Sequence, residues 1–281
     1  MSGVTHRRLR VIKKTVDFGK PRGACDIDDW ILAQNPHVFS RMVSGASTFA
    51  NSGLTVGYDD GPAGLEKEGT FTYDESICGF TWQDTPIFSG TEAAWCEVPH
   101  PEFYNRQISH TVGAVISYSS TSLTIGQGAL ITGIKDGDAE DFKLALVLMS
   151  DGSVGVVQDG EFVFSGLSVP PDTASFVAVA ADKSGAMLLL ASGSSLAYTA
   201  SAVSAMPAST FFNVGACVEA GAVEPIKVQT GISVVPFEGR IERAFFTKSR
   251  LSDRAAGIAN SLVVLKTYYD PQADYESSPS A

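Results

Sequence analysis

The sequence predicts an all-β fold, a sandwich or a barrel, closed by one short helix. Three observations carry this. Short apolar runs rich in Val, Ile, Leu and Phe recur between Asp-Gly and Lys-Ser-Gly turns, a pattern that suits hairpins rather than βαβ units. Charged residues make up only 18% of the chain, against 44% hydrophobic. Finally, FEGRIERAFFTKSRLSDRAAGIANSLVVL (237–265) changes period halfway. It alternates like a strand up to Phe246, then repeats Ala255, Ile258, Ala259 and Leu262 at helical spacing, with Ser252 placed as N-cap ahead of Asp253 and Arg254.

The elements follow in order. DIDDWILAQNPHVFSRMV (26–43) holds a short helical turn around Trp30–Gln34, ended by Asn35-Pro36, with Trp30, Ile31 and Leu32 packing on the body or on a partner. RQISHTVGAVISYSS (106–120) reads as a strand that alternates only approximately through Ile108, Val112, Val115 and Tyr118. FKLALVLMS (142–150), Asp151-Gly152 and SVGVVQ (153–158) form a hairpin, and a second Asp-Gly (159–160) leads into EFVFSG. SFVAVAAD (175–182) and AMLLLAS (186–192) flank Lys183-Ser184-Gly185 as another hairpin. FFNVGACVEA (211–220) and EGRIERAFF (238–246) complete the set, and no period marks an internal repeat.

The 281 residues suit one large domain, or one domain with attached arms. Charge divides the chain unevenly. Residues 1–24 hold seven Lys/Arg and one acid, a charge of +6; the rest hold 13 bases and 30 acids, a charge of −17, which gives the −11 of the whole. Residues 1–40 are therefore expected to form a basic arm or anchor, with Arg7, Arg8, Arg10, Lys13, Lys14 and Trp30 meeting a partner protein; a solvated, disordered start is the plainer alternative. The acidic body repels phosphate and argues against nucleic acid. No apolar run reaches membrane-spanning length, no signal peptide is evident, and none of the five Asn residues sits in an N-x-[ST] acceptor. Residues 269–281 read as a flexible tail.

The succession FKLALVLMSDGSVGVV, SFVAVAADKSGAMLLLASGSSL, STFFNVGACV and PFEGRIERAFFTKSRLSDRAAGIAN resembles the concanavalin A-like, laminin-G-like jelly roll. Phe212-Asn213-Val214-Gly215 matches that family's short strand. Phe237-Glu238-Gly239-Arg240-Ile241-Glu242, Ala244-Phe245-Phe246 and Leu251-Ser252-Asp253 match its ending. The resemblance covers roughly residues 106–265 and implies a sandwich over 41–268, with 41–105 supplying the first strands. It also implies that Ile241 and Phe245 face inward on the last strand, and that the helix crosses an edge or end of the sandwich with Ile258 and Leu262 covering them.

Motifs for catalysis are missing. There is no G-x-S-x-G, P-loop, H-E-x-x-H or E-x-D-x-x-E; His6, His37, His100 and His110 are scattered. Cys25, Cys78, Cys96 and Cys217 match no zinc or redox spacing and read as free thiols in or near the core. Asp136, Asp138 and Glu140 alternate in a turn that can fold around calcium, with a solvated acidic turn as the alternative. Trp82, Trp95 and Tyr104, in the Pro-containing stretch 80–105, are candidate glycan-binding rings on a rim loop, or else core residues beneath one. The expected function is a non-enzymatic virion protein of a bacteriophage: a fibre, spike or head-decoration subunit. It would be oligomeric, trimeric by analogy, docked on other virion proteins by its arm and displaying a lectin-like domain to host-surface polysaccharide. A free carbohydrate-binding module and a polysaccharide-cleaving enzyme are the alternatives.

Overall fold

A computed structural model describes residues 26–42, 47–51, 64–74, 84–98, 109–137, 141–206, 209–219, 222–224, 227–247 and 250–264. Helices α1 (Asp26–Ala33) and α2 (Asp253–Val264) bracket the strands. In chain order these are β1 (Pro36–Arg41), β2 (Thr48–Ala50), β3 (Gly64–Glu68), β4 (Thr72–Asp74), β5 (Thr85–Ser89), β6 (Ala93–Glu97), β7 (Ser109–Ser117), β8 (Gln127–Asp136), β9 (Phe142–Met149) and β10 (Ser153–Gln158). They continue with β11 (Glu161–Ser168), β12 (Ser175–Asp182), β13 (Ala186–Ala191), β14 (Ser194–Thr199), β15 (Thr210–Val214), β16 (Cys217–Glu219), β17 (Ala222–Glu224), β18 (Lys227–Gln229), β19 (Ile232–Val235) and β20 (Glu238–Thr247).

Two sheets form an all-β jelly-roll sandwich. The first has the order β14-β13-β12-β7-β20-β5-β4, with β1 also on β20; the second has the order β11-β10-β9-β8-β15-β6-β3-β2, with β19 running parallel beside β8. Between them lies the main core, including Val112, Ile116, Ile131, Leu146, Val156, Val179, Leu189, Phe212 and Ile241. Both predicted hairpins are present in register. At the first, Gly152 takes φ 77° and the Asp151 carboxylate accepts the Ser153 N–H at 2.9 Å, which is why Asp-Gly marks the turn so legibly.

Strand β12 is buried at every position, and its pairing explains why. Val177, Val179 and Ala181 face the main core, whereas Phe176, Ala178 and Ala180 lie in a second cluster on the sheet's outer face, beneath Ile27, Ile31, Ala255, Ala259 and Val263 of the helices. A strand covered on both faces has no polar side to show, so its sequence runs apolar instead of alternating.

The helix α2 therefore covers the broad outer face over β12, β13 and β14 rather than an edge or end. Its buried stripe is Ala255, Ala256, Ala259 and Val263; Ile258 is exposed and Leu262 only partly buried, which corrects the expected stripe. Phe176, Leu188, Leu190 and Phe245 fill the space from the sheet side, so the helix meets them with alanines. The strand β20 departs from expectation too. A register shift between Ile241 and Arg243 sends Ile241 to the main core and Phe245 to the helix-covered face.

The expected arm boundary at residue 40 also moves. The strand β1 pairs with β20, Phe39 opposite Phe245, and α1 packs in the outer cluster. Trp30, expected to meet a partner, stands edge-on to Phe176 with ring centroids 5.5 Å apart. An ion cluster fixes this corner: Asp28 accepts from Arg243 Nε at 2.5 Å and is ion-paired to Arg41, whose Nε lies 2.7 Å away, and Arg243 Nη1 lies 2.5 Å from Glu242. Arg7, Arg8, Arg10, Lys13 and Lys14 lie outside the described residues, as does the tail 269–281.

Candidate functional site

The outer face of the second sheet carries one row of residues in register. Glu66 on β3 stands opposite Trp95 on β6, Trp95 opposite Asn213 on β15, and Asn213 opposite Gly133 on β8. Residues directly opposite in a sheet share a face, and so do residues two apart along a strand. Glu97 and its opposite Phe211 thus flank the row, and the rings of Trp95 and Phe211 meet at 5.7 Å and 64°. Trp95 and Phe211 are half-buried, while Glu66 and Glu97 are exposed.

Trp95 was expected on a rim loop. It lies in mid-strand instead, because part of the stretch 80–105 is ordered as β5 and β6. The turn between them is held by Glu92, whose buried carboxylate accepts from the Ser89 N–H (2.6 Å) and from the hydroxyls of Ser89 and Thr91 (2.9 Å each). Burial pushes the Glu92 pKa up, but these hydrogen bonds outweigh it and hold the carboxyl below its usual range.

Behind the half-buried rings are two polar groups with no hydrogen-bond partner: the indole N–H of Trp95 and Nδ2 of Asn213. Asn213 is fully buried, and its orientation is set by Oδ1, which accepts the Val218 N–H at 3.2 Å. An unpaired buried donor costs about 1–3 kcal/mol, and here two stand on neighbouring strands. The 216–218 segment, with Ala216 and Val218 packed against Ala93 and Trp95, covers them. The Asn213 side of this pair carried no signal in the sequence, where Asn213 is one polar residue inside an apolar strand.

The other candidates come out differently. Asp136 is buried and ion-paired to Lys143 at 3.2 Å, so its carboxylate faces a fixed cation rather than an open calcium site; Lys143 also donates to Ser204 Oγ at 3.0 Å. Asp138, Glu140, Trp82 and Tyr104 lie outside the described residues. Among those described, no group of three His, Cys, Asp or Glu is placed to hold a metal, and no helix is long and apolar enough to cross a membrane. Cys96 and Cys217 are buried; burial, with Glu66 adding to it, pushes the Cys96 thiol up to about 12.

The architecture is a jelly-roll β-sandwich. It is similar to the binding domain of botulinum neurotoxin DC in complex with rat synaptotagmin II, with a TM-score of 0.54 and 12% identity over 82% of this chain and 52% of that one. It is similar to a botulinum neurotoxin type C structure concerned with cell entry through two ganglioside molecules (TM-score 0.53, 13% identity, 83% and 53% covered). A mutant Trypanosoma rangeli sialidase displaying trans-sialidase activity shares the fold as well (TM-score 0.53, 12% identity, 83% and 33% covered). This chain thus spans about half the length of the toxin chains and a third of the sialidase. No family model and no curated protein matches it.

Proposed function

We propose that this chain is a non-enzymatic, lectin-like protein that binds neutral glycan on the outer face of its second sheet, around Trp95. The observation that carries the reading is the Trp95–Phe211 ring pair, bordered by the exposed carboxylates of Glu66 and Glu97. Sugar C–H faces stack on such rings, and sugar hydroxyls donate to carboxylates. A net charge of −11 and two local carboxylates disfavour acidic sugars. Support by analogy for glycan binding as such comes from the structure describing neurotoxin entry through gangliosides; those glycans carry sialic acid, so the preference for neutral sugars rests on the charge of this chain alone.

The wider setting in this proposal is a bacteriophage particle, with the chain as an oligomeric fibre, spike or head-decoration subunit docked by its basic N-terminal segment. The division of charge between residues 1–24 and the rest supports it. Deleting residues 1–24 is then expected to abolish incorporation into particles while sparing glycan binding. Because Asp136 is ion-paired to Lys143, glycan binding is expected to survive chelation of calcium.

The test is an array of neutral and sialylated glycans probed with the full-length chain. Saturable binding to neutral glycans is expected, lost in Trp95→Ala and weakened in Glu66→Gln and Glu97→Gln, whose exposed positions leave folding untouched. No binding overturns the function, and binding indifferent to all three substitutions overturns the site.

A further inference from the structure

We infer that strand β14 is an open edge through which two copies of this chain pair. The strand ends the first sheet, all six of its residues are exposed, and among the described residues no strand pairs with its outer side. Natural edge strands are blunted by lysine, proline or a bulge. β14 is SSLAYT, with no charge and no proline, and it follows β13 without a register shift.

Leu196 and Tyr198 remain 37% and 40% exposed on its inner side. They lie at the seam where β14 meets β11 of the second sheet; Tyr198 stacks on Phe164 at 4.3 Å and 17°. The seam is apolar yet left partly open to water.

Self-complementarity points to a second copy as the occupant, and the local lack of charge permits it. Two chains each carrying −11 repel wherever their acids approach within about 8 Å, the screening length at physiological salt. No charged residue lies between Lys183 and Glu219, so this edge sits in a long uncharged stretch where like molecules meet with least repulsion. The strand is also self-complementary. An antiparallel pairing centred on Ala197 sets Leu196 of one copy opposite Tyr198 of the other, an aliphatic–aromatic cross-strand pair repeated by the twofold axis. The result is a continuous sheet across two molecules, a twofold contact rather than the trimer expected by analogy.

Light scattering of the full-length chain over a range of concentrations reads this directly. The expected mass is twice 29.6 kDa, falling to one chain in Ala197→Lys, which opposes two lysines at the axis, and in Leu196→Lys. Both positions are exposed, and an unchanged circular dichroism spectrum verifies folding. A monomer throughout, a trimer, or a dimer that survives both substitutions overturns the inference.

Discussion

Replacing Asp28 with Ala removes the carboxylate that holds α1 and β1 to the sandwich. Asp28 is fully buried and takes Arg243 at 2.5 Å and Arg41 at 2.7 Å. Removing one partner of a buried pair costs roughly 3–5 kcal/mol, because the remaining charge stays desolvated. Two features place Asp28→Ala at the lower end: Arg243 keeps Glu242 at 2.5 Å, and the Arg41 side chain, 40% exposed, can turn to water. A loss of about 3 kcal/mol at about 2 °C per kcal/mol lowers Tm by roughly 6 °C. The assay is thermal unfolding followed by circular dichroism, beside Asp28→Leu combined with Arg243→Met and Glu242→Gln, in which uncharged side chains replace the buried charges and part of the loss returns. A Tm within about 1 °C of the parent refutes the reasoning, since it would mean the corner contributes less than about 0.5 kcal/mol.

Three further outcomes follow from the packing. Burial, with Lys183 adding to it, lowers the His110 pKa from 6.5 to about 4. Its folded-state value is depressed, so the folded chain binds fewer protons than the unfolded one. The associated stability is full above about pH 6.5 and lost as pH falls toward 4, about 3 kcal/mol in all; denaturant melts of His110→Gln should show a flatter loss than the parent over that window. Glu92→Ala strips the β5–β6 turn of its acceptor and should cost about 1–3 kcal/mol in urea unfolding, with Ser89 and Thr91 left to find other partners. Gly113→Ala places a Cβ 2.5 Å from Phe245 Cζ and 2.9 Å from Ala178 Cβ. Overpacking there should destabilise by about 1–3 kcal/mol, read as a lower urea midpoint.

What the sequence made legible was local. Asp151-Gly152 and Lys183-Ser184-Gly185 named their hairpins because those turns need particular residues at particular positions. The changing period after Phe246 located α2. What stayed hidden depends on contacts distant in sequence. The helix stripe is shifted because the bulky side chains come from β12, β13 and β20, which the helical period cannot register. Strand β1 looked like part of an arm because its partner β20 lies at the far end of the chain. Pro86 and the short lengths of β5 and β6 made them read as loop, which misplaced Trp95 on a rim. Trp95 was singled out for its ring, but its pairing with Asn213, and with it the second unpaired donor, exists only in the register of β6 with β15.

The central claim, glycan recognition at Trp95, is tested most directly by calorimetric titration of the neutral glycan that leads the array into the full-length chain and into Trp95→Ala. The account predicts saturable, chelator-insensitive binding by the parent and none by the variant, with both chains folded. Equal affinity in the two contradicts it.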